Sequence, residues 1–173
     1  GQLDQVDSCM ARGVQRRRPI PALWFRLRAA HRRGARDLAW SLARQLLVQL
    51  QQRELDPDRL RMPWPALYRQ IGRMMTDRAT RKRGIQLLQT MGPPCGGEVV
   101  RLVVIAEARR ELGQHRAAAR TMDQLMRFGL VDRYQLRMCE QIYTRADRIE
   151  RASACRAQRI AIRDLPPDPP LWQ

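Results

Sequence analysis

The residues of this chain best suited to chemistry are its arginines. Lysine and arginine number 33 against 17 acidic residues, a formal charge of +16, and only Lys82 is a lysine. A guanidinium group binds phosphate through parallel hydrogen bonds and stacks on flat rings, which an ammonium group does not do. A GC-rich genome would also favour arginine over lysine, but it would not explain the net charge. The excess indicates a polyanion or an acidic partner.

The basic residues are concentrated toward the N-terminal side. Residues 1–64 and 65–130 each carry a net +7, whereas residues 131–173 carry only +2. We therefore predict a basic face on the first three quarters of the chain, formed by Arg12, Arg16, Arg17, Arg18, Arg26, Arg28, Arg32, Arg33, Arg36, Arg78, Arg81, Lys82 and Arg83. The aromatic residues nearby either stack on bases or belong to the core, and the sequence leaves both open. They are Trp24, Phe25, Trp40 and Trp64.

Catalytic and metal-binding motifs are absent from the sequence. Cys9, Cys95, Cys139 and Cys155 form no CxxC pair, and the two histidines, His31 and His115, are far apart. Zinc sites need ligands at short paired spacings. The glycines at 96 and 97 lack the GK[ST] ending of a phosphate loop. We therefore predict no enzyme, no metal, no cofactor and no small-molecule substrate, and we expect Cys139 and Cys155 to be buried thiols on apolar helical faces.

The two ends of the sequence predict extended segments. No acid lies between Ser8 and Arg36, a composition typical of organelle-targeting segments, although Asp4 and Asp7 argue against a signal here. We interpret residues 1–19 as an extended basic arm, the alternative being a solvated tail. Residues 164–173 are rich in proline and predict a polyproline tail, in which Leu171 and Trp172 contact a protein neighbour or fold back on the chain.

Between these ends, the spacing of apolar residues predicts helices throughout residues 20–163. Apolar side chains recur every three to four residues, and glycine or proline separates the segments. Leu38, Leu42, Leu46 and Leu50 are one such series. The valines near 99–104 allow a strand, but the charged residues and the length of the run favour helix. No apolar run approaches the roughly 20 residues that span a bilayer, so we predict no membrane span.

These segments pair into about four antiparallel hairpins with a repeating pattern. Each has a small residue in its first helix, a bend, and a small residue in its second helix. The bends align at Gly34, Ala79, Gly113 and Asp147, and the second small residues at Ala39, Gly84, Ala118 and Ala152, with spacings of 45, 34 and 34 residues. The fourth hairpin departs from the pattern, with Glu140, Arg156 and Arg159 at small or apolar positions. We also expect Asp132 and Asp147 to cap helices.

This pattern resembles the tetratricopeptide repeat, whose period is 34 residues, and its organellar relative the pentatricopeptide repeat. The segment 107–118, EARRELGQHRAA, is the most similar part. The resemblance implies an all-α fold in which the hairpins stack as a short solenoid, the alternative being an irregular helical bundle. Pentatricopeptide proteins bind RNA, but four irregular units are too few for a long base-recognition code.

A short, basic, repeat-like chain with extended ends looks most like a structural subunit of an organellar ribosome. This resemblance implies a mitochondrial matrix location, with ribosomal RNA and neighbouring protein subunits as partners. Two alternatives remain open at this point. One is a protein-binding helical-repeat subunit of another mitochondrial complex, such as a respiratory or ATP synthase complex. The other is a free RNA-processing factor of the pentatricopeptide type.

Overall fold

The structure, a computed structural model, describes residues 19–52, 64–90, 97–129 and 132–163. In these ranges the chain is all-α, without strands, which confirms the predicted fold class. The predicted arms, apart from Pro19, lie outside the described residues. The helices are α1 (Pro19–Arg32), α2 (Arg36–Gln52), α3 (Trp64–Met74), α4 (Arg78–Gln89), α5 (Glu98–Glu111), α6 (His115–Met126), α7 (Arg133–Arg145) and α8 (Ile149–Arg163).

Consecutive helices form four hairpins, α1–α2, α3–α4, α5–α6 and α7–α8, because each pair is joined by only three residues. Connections this short make neighbouring helices antiparallel. The residues from 99 to 104 lie within α5, so helix, not strand, is the state that this valine-rich segment adopts.

Three of the four turns share one backbone conformation. Gly34, Gly113 and Asp147 each have positive φ, at 72°, 73° and 60°, and each lies two residues before the next helix. Glycine adopts this region without strain, and aspartate is among the few other residues that tolerate it. The predicted bends at these positions are confirmed. The prediction that Asp147 caps a helix is wrong, because it occupies the turn itself.

The second hairpin turns differently. Asp77 has an extended backbone and caps α4, accepting a hydrogen bond from the Thr80 amide at 2.9 Å, while the Asp77 amide donates to the Thr80 hydroxyl at 3.0 Å. Ala79 therefore lies inside α4, and its predicted place at the bend is wrong. The 34-residue spacing between left-handed turn residues holds only from Gly113 to Asp147.

The chain divides into two compact units, residues 1–98 and 99–173. In the first unit, apolar side chains of all four described helices are buried, including Leu27 of α1, Leu46 of α2, Ile71 of α3 and Leu88 of α4, each at 0% exposure. Small residues allow close packing, as predicted. Ala39 is buried, and a Cβ at Gly84 would overlap the Met75 side chain.

The core of the second unit is formed by the inward faces of α5 to α8. Its members are Leu102, Ala106, Ala118, Ala119, Met122, Leu125, Leu136, Met138, Cys139, Ile142, Tyr143, Ala152 and Cys155. The structure joins Cys139 to Cys155 by a disulfide, with the two Cα atoms 6.1 Å apart. The burial of both residues was predicted correctly. The prediction that they are free thiols is wrong. The antiparallel pairing of α7 and α8 places the two side chains opposite each other, which their linear spacing of 16 residues does not reveal.

A network of partly buried hydrogen bonds joins the α5–α6 and α7–α8 hairpins. The Asp123 carboxylate accepts hydrogen bonds from the Tyr143 hydroxyl and from Arg148, each at 2.7 Å, and also from Arg151. Burial acts against ionisation of Asp123, but the tyrosine and the two arginines outweigh it and lower the pKa of that carboxyl. At the start of α7, Asp132 caps the helix by accepting from the Gln135 amide at 2.7 Å, as predicted.

Candidate nucleic-acid interface

The described part of the first unit is strongly basic. Residues 19–52 and 64–90 contain twelve basic side chains and two acidic ones, Asp37 and Asp77. The basic residues are Arg26, Arg28, Arg32, Arg33, Arg36, Arg44, Arg69, Arg73, Arg78, Arg81, Lys82 and Arg83. Nine of these are in the predicted RNA-binding set, whereas Arg44, Arg69 and Arg73, all exposed, were not. The predicted residues Arg12, Arg16, Arg17 and Arg18 lie outside the described residues.

Helix α1 presents an exposed face that combines an aromatic ring with two arginines. Phe25 is 51% exposed, and Arg28 and Arg32 are also exposed. Offsets of three and four residues place the three side chains on one side of the helix. Arg26, on another side, is half-buried. The face therefore pairs a ring for stacking with two phosphate-binding groups.

The turn after α1 continues this basic surface. Gly34 allows the chain to reverse direction, and the exposed residues Arg33 and Arg36 lie on either side of it. The side chain of Arg36 is 72% exposed even though its Nη1 lies 3.7 Å from an Asp77 carboxylate oxygen. The arginines at 32, 33 and 36 are thus all exposed at one end of the first hairpin.

A second basic group occupies the first turns of α4. The Asp77 cap fixes the start of this helix at Arg78, and Arg78 and Lys82, four residues apart, are exposed on one side. The hydrogen bond from the Thr80 amide lowers the pKa of Asp77, which therefore stays ionised at neutral pH. Cations near a helix N-terminus are repelled by the helix dipole. One capping carboxylate offsets this only in part, so the site favours a further anion.

Two ion pairs bring the separate sequence clusters together. Arg36 of α2 pairs with Asp77 at 3.7 Å, and Arg83 of α4 pairs with Asp37 of α2 at 3.3 Å. The arginines around residues 32–36 and the basic residues at 78–83 therefore form one continuous region. We call this region the basic surface; it comprises Arg28, Arg32, Arg33, Arg36, Arg78, Arg81, Lys82 and Arg83.

The structure separates the aromatic residues that the sequence grouped together. Trp40 is 3% exposed and belongs to the core, with the Arg83 guanidinium 5.4 Å from its ring centre. Trp24 is half-buried, and Phe25 is exposed. The side chain of Trp64 lies outside the described part of the chain. Among these four aromatic residues, Phe25 is therefore the one whose described side chain is exposed and available to stack on a base.

Sequence reasoning did not find that two aspartates lie beside arginines of the basic surface and so show which of its residues are neighbours. The sequence does contain one indication of this, because Asp37 and Asp77 are the only acids in residues 19–52 and 64–90. An isolated acid among many arginines has a choice of partners, and the sequence does not show which ones lie nearby. His31 has a structural role, because its Nδ1 lies 2.8 Å from the side-chain amide nitrogen of Gln70, a buried residue of α3.

Other kinds of site are not found in the described ranges. No group of three or more His, Cys, Asp or Glu side chains is placed there to hold a metal ion. Within the same ranges, every helix is too short or too polar to cross a bilayer. Comparison with protein families, with characterised proteins and with solved structures finds no match to this chain.

Proposed function

We propose that this protein is an RNA-contacting structural subunit of a mitochondrial ribosome. The observation that carries the proposal is the basic surface, where residues from two separate stretches of sequence, 28–36 and 78–83, lie together with only two carboxylates among them. Arginine-rich surfaces of this kind bind the phosphate backbone, and their affinity depends on charge more than on base sequence. The resemblance to organellar helical repeats supports the ribosomal assignment.

The proposed contact combines two interactions. The guanidinium groups of Arg28, Arg32 and Arg36 bind phosphates, and the Phe25 ring stacks on an unpaired base beside them. Single-stranded loops and bulges of ribosomal RNA offer both groups, since their bases are not held in a duplex. Leu171 and Trp172, outside the described residues, are proposed to contact a neighbouring protein subunit.

Sedimentation tests this proposal directly. The native protein, followed by an antibody in a mitochondrial lysate, should sediment with ribosomal particles. Mild RNase treatment that breaks the particles should move it to lighter fractions, together with known ribosomal proteins. Sedimentation with an assembly that is unaffected by RNase would contradict the proposal and favour a protein-only complex.

A further inference from the structure

A second group of arginines surrounds a cavity on the α7–α8 hairpin. The cavity is open to solvent and has a volume of about 490 Å³. Four arginines line it, with one carboxylate among them: Arg137, Arg145, Arg156, Arg159 and Glu140. This lies in the part of the chain where the sequence predicted the weakest basic character.

Glu140 holds two of these arginines in place. Its carboxylate, 18% exposed, accepts a hydrogen bond from Arg156 Nε at 2.9 Å and from Arg159 Nε and Nη2 at 3.2 and 3.0 Å. Each guanidinium has five N–H donors, so most of those on Arg156 and Arg159 remain available. On the cavity wall, Gln141 accepts a hydrogen bond from Arg110 of α5 at 2.7 Å, which ties α7 to the neighbouring hairpin.

The same three positions of the third hairpin contain core residues. Ala106, Met122 and Leu125, which align with Glu140, Arg156 and Arg159, are each 0% exposed. In the fourth hairpin all three positions have become charged, and the three side chains bind one another. In the last unit of a repeat protein, charged residues at apolar positions often serve only to make the terminal face soluble. Here they also create an organised cluster.

The cluster is not neutral. Glu140 compensates one of four positive charges, and in the described part of the chain neither Arg137 nor Arg145 pairs with an acid. Uncompensated like charges around one cavity repel each other, and an oxyanion placed among them would relieve this repulsion. Planar guanidinium groups match the oxygen geometry of phosphate in particular.

We propose that this cavity binds a phosphate group, with Arg156 and Arg159 oriented by Glu140 and with Arg137 and Arg145 closing around the anion. The inference goes beyond the proposed function, because no residue of the basic surface takes part. It holds whether the phosphate belongs to a small molecule or to an RNA backbone, and the experiment separates these two sources.

The test is a nuclear magnetic resonance titration of the full chain. The Nε–Hε signals of Arg156 and Arg159 report on the cavity while inorganic phosphate replaces chloride at constant ionic strength. We expect saturable shifts of both signals. In the Arg137→Gln/Arg145→Gln variant, which leaves the contacts of Glu140 intact, the Kd should rise about tenfold, since two charge-assisted contacts are lost.

A matched control removes the same charge elsewhere in the unit. Arg116→Gln/Arg120→Gln alters two exposed arginines of α6 and should leave the shifts and the Kd unchanged. Equal weakening by both variants would overturn the proposal, because it would show binding to net charge alone. Shifts that grow linearly without saturating would overturn it as well.

Two further probes identify the source of the phosphate. If a short single-stranded RNA saturates the same signals at much lower concentration than inorganic phosphate, the group belongs to a nucleic-acid backbone; equal affinity indicates a small phosphate ligand. Saturation by a polyglutamate peptide, with no response to phosphate, would contradict the proposal. Backbone signals of α1 follow the basic surface separately, so failure of either site is recognised independently of the other.

Discussion

The guanidinium group of Arg83 lies 3.3 Å from the carboxylate of Asp37 and also covers the ring of Trp40 at 5.4 Å. This one side chain links α4 to α2 over 46 residues of sequence. At this place the basic surface, the exposed carboxylate of Asp37 and the buried ring of Trp40 meet. Substitutions can separate the contribution of the buried ring to stability from the contribution of the exposed residues to RNA binding.

The two aromatic residues Trp40 and Phe25 should behave in opposite ways. Trp40→Ala removes a core side chain and should lower the free energy of unfolding by about 3–5 kcal/mol. Phe25→Ala removes an exposed ring and should change stability by less than about 1 kcal/mol, while it weakens single-stranded RNA binding by about 1–3 kcal/mol through lost stacking. Urea denaturation and fluorescence anisotropy measure the two quantities.

A matched Phe25→Leu variant keeps an apolar side chain but lacks the aromatic ring. It should be as stable as the parent and bind RNA as weakly as Phe25→Ala. If Phe25→Leu binds RNA as tightly as the parent, base stacking by this residue is ruled out.

The turn residues Asp132 and Asp147 offer a second contrast, because both were expected to cap helices. Asp132→Ala removes a capping box and should lower stability by about 1 kcal/mol. Asp147→Gly should raise stability by roughly 0.5–1 kcal/mol, since glycine adopts a φ of 60° more readily than aspartate does. Thermal and urea unfolding of both variants measure these shifts, and a loss of stability in Asp147→Gly would contradict the turn geometry.

The comparison of these two aspartates shows how far the sequence predicts the fold. Apolar periodicity and turn glycines are local signals, so the helices, the four hairpins and the turns at Gly34, Gly113 and Asp147 were predictable. The second hairpin was also predictable, but its bend was placed at Ala79 because that residue matched the period, whereas the turn ends two residues earlier, at the Asp77 cap. A capping box stabilises the start of a helix by about 1 kcal/mol, and here it fixes the helix start more strongly than the repeat alignment predicts the bend.

The candidate sites were less predictable, because they depend on contacts between distant residues. The sequence identified the arginine clusters but not the pairs Arg36–Asp77 and Arg83–Asp37 that join them. It marked Glu140, Arg156 and Arg159 only as departures from the repeat. Their mutual hydrogen bonds require the antiparallel placement of α7 and α8, which fixes the facing residues in a way that spacing alone does not.

Titration of Tyr143 tests the network between the last two hairpins. Burial, and then the hydrogen bond to Asp123, raise the pKa of Tyr143 to about 12. Because the pKa in the folded chain is raised, this hydroxyl stabilises the fold below the ordinary tyrosine pKa of about 10, and that stability is lost as the pH rises toward 12. The phenolate absorbance of the parent minus that of Tyr143→Phe should isolate the titration of this tyrosine, with a midpoint at about pH 12.

Asp123→Asn removes the negative charge beside the hydroxyl, so the pKa of Tyr143 should fall while burial keeps it above the ordinary value. Glu150→Gln serves as the control, because Glu150 is exposed and is not among the groups that shift the pKa of Tyr143 or of Tyr134. An unchanged titration in Asp123→Asn would show that the hydrogen bond plays no part in holding this tyrosine protonated.

The salt dependence of RNA binding tests the central claim, that the basic surface binds the phosphate backbone. The measurement compares a triple variant, Arg32→Gln/Arg78→Gln/Lys82→Gln, with a control of equal charge, Arg116→Gln/Arg120→Gln/Arg127→Gln, whose exposed residues lie in the second unit. For single-stranded RNA, each lost phosphate contact reduces the slope of log affinity against log salt concentration by about 0.7. We predict a reduction of about 2 for the first variant and little change for the control. Equal slopes for the two variants and the parent would contradict the claim.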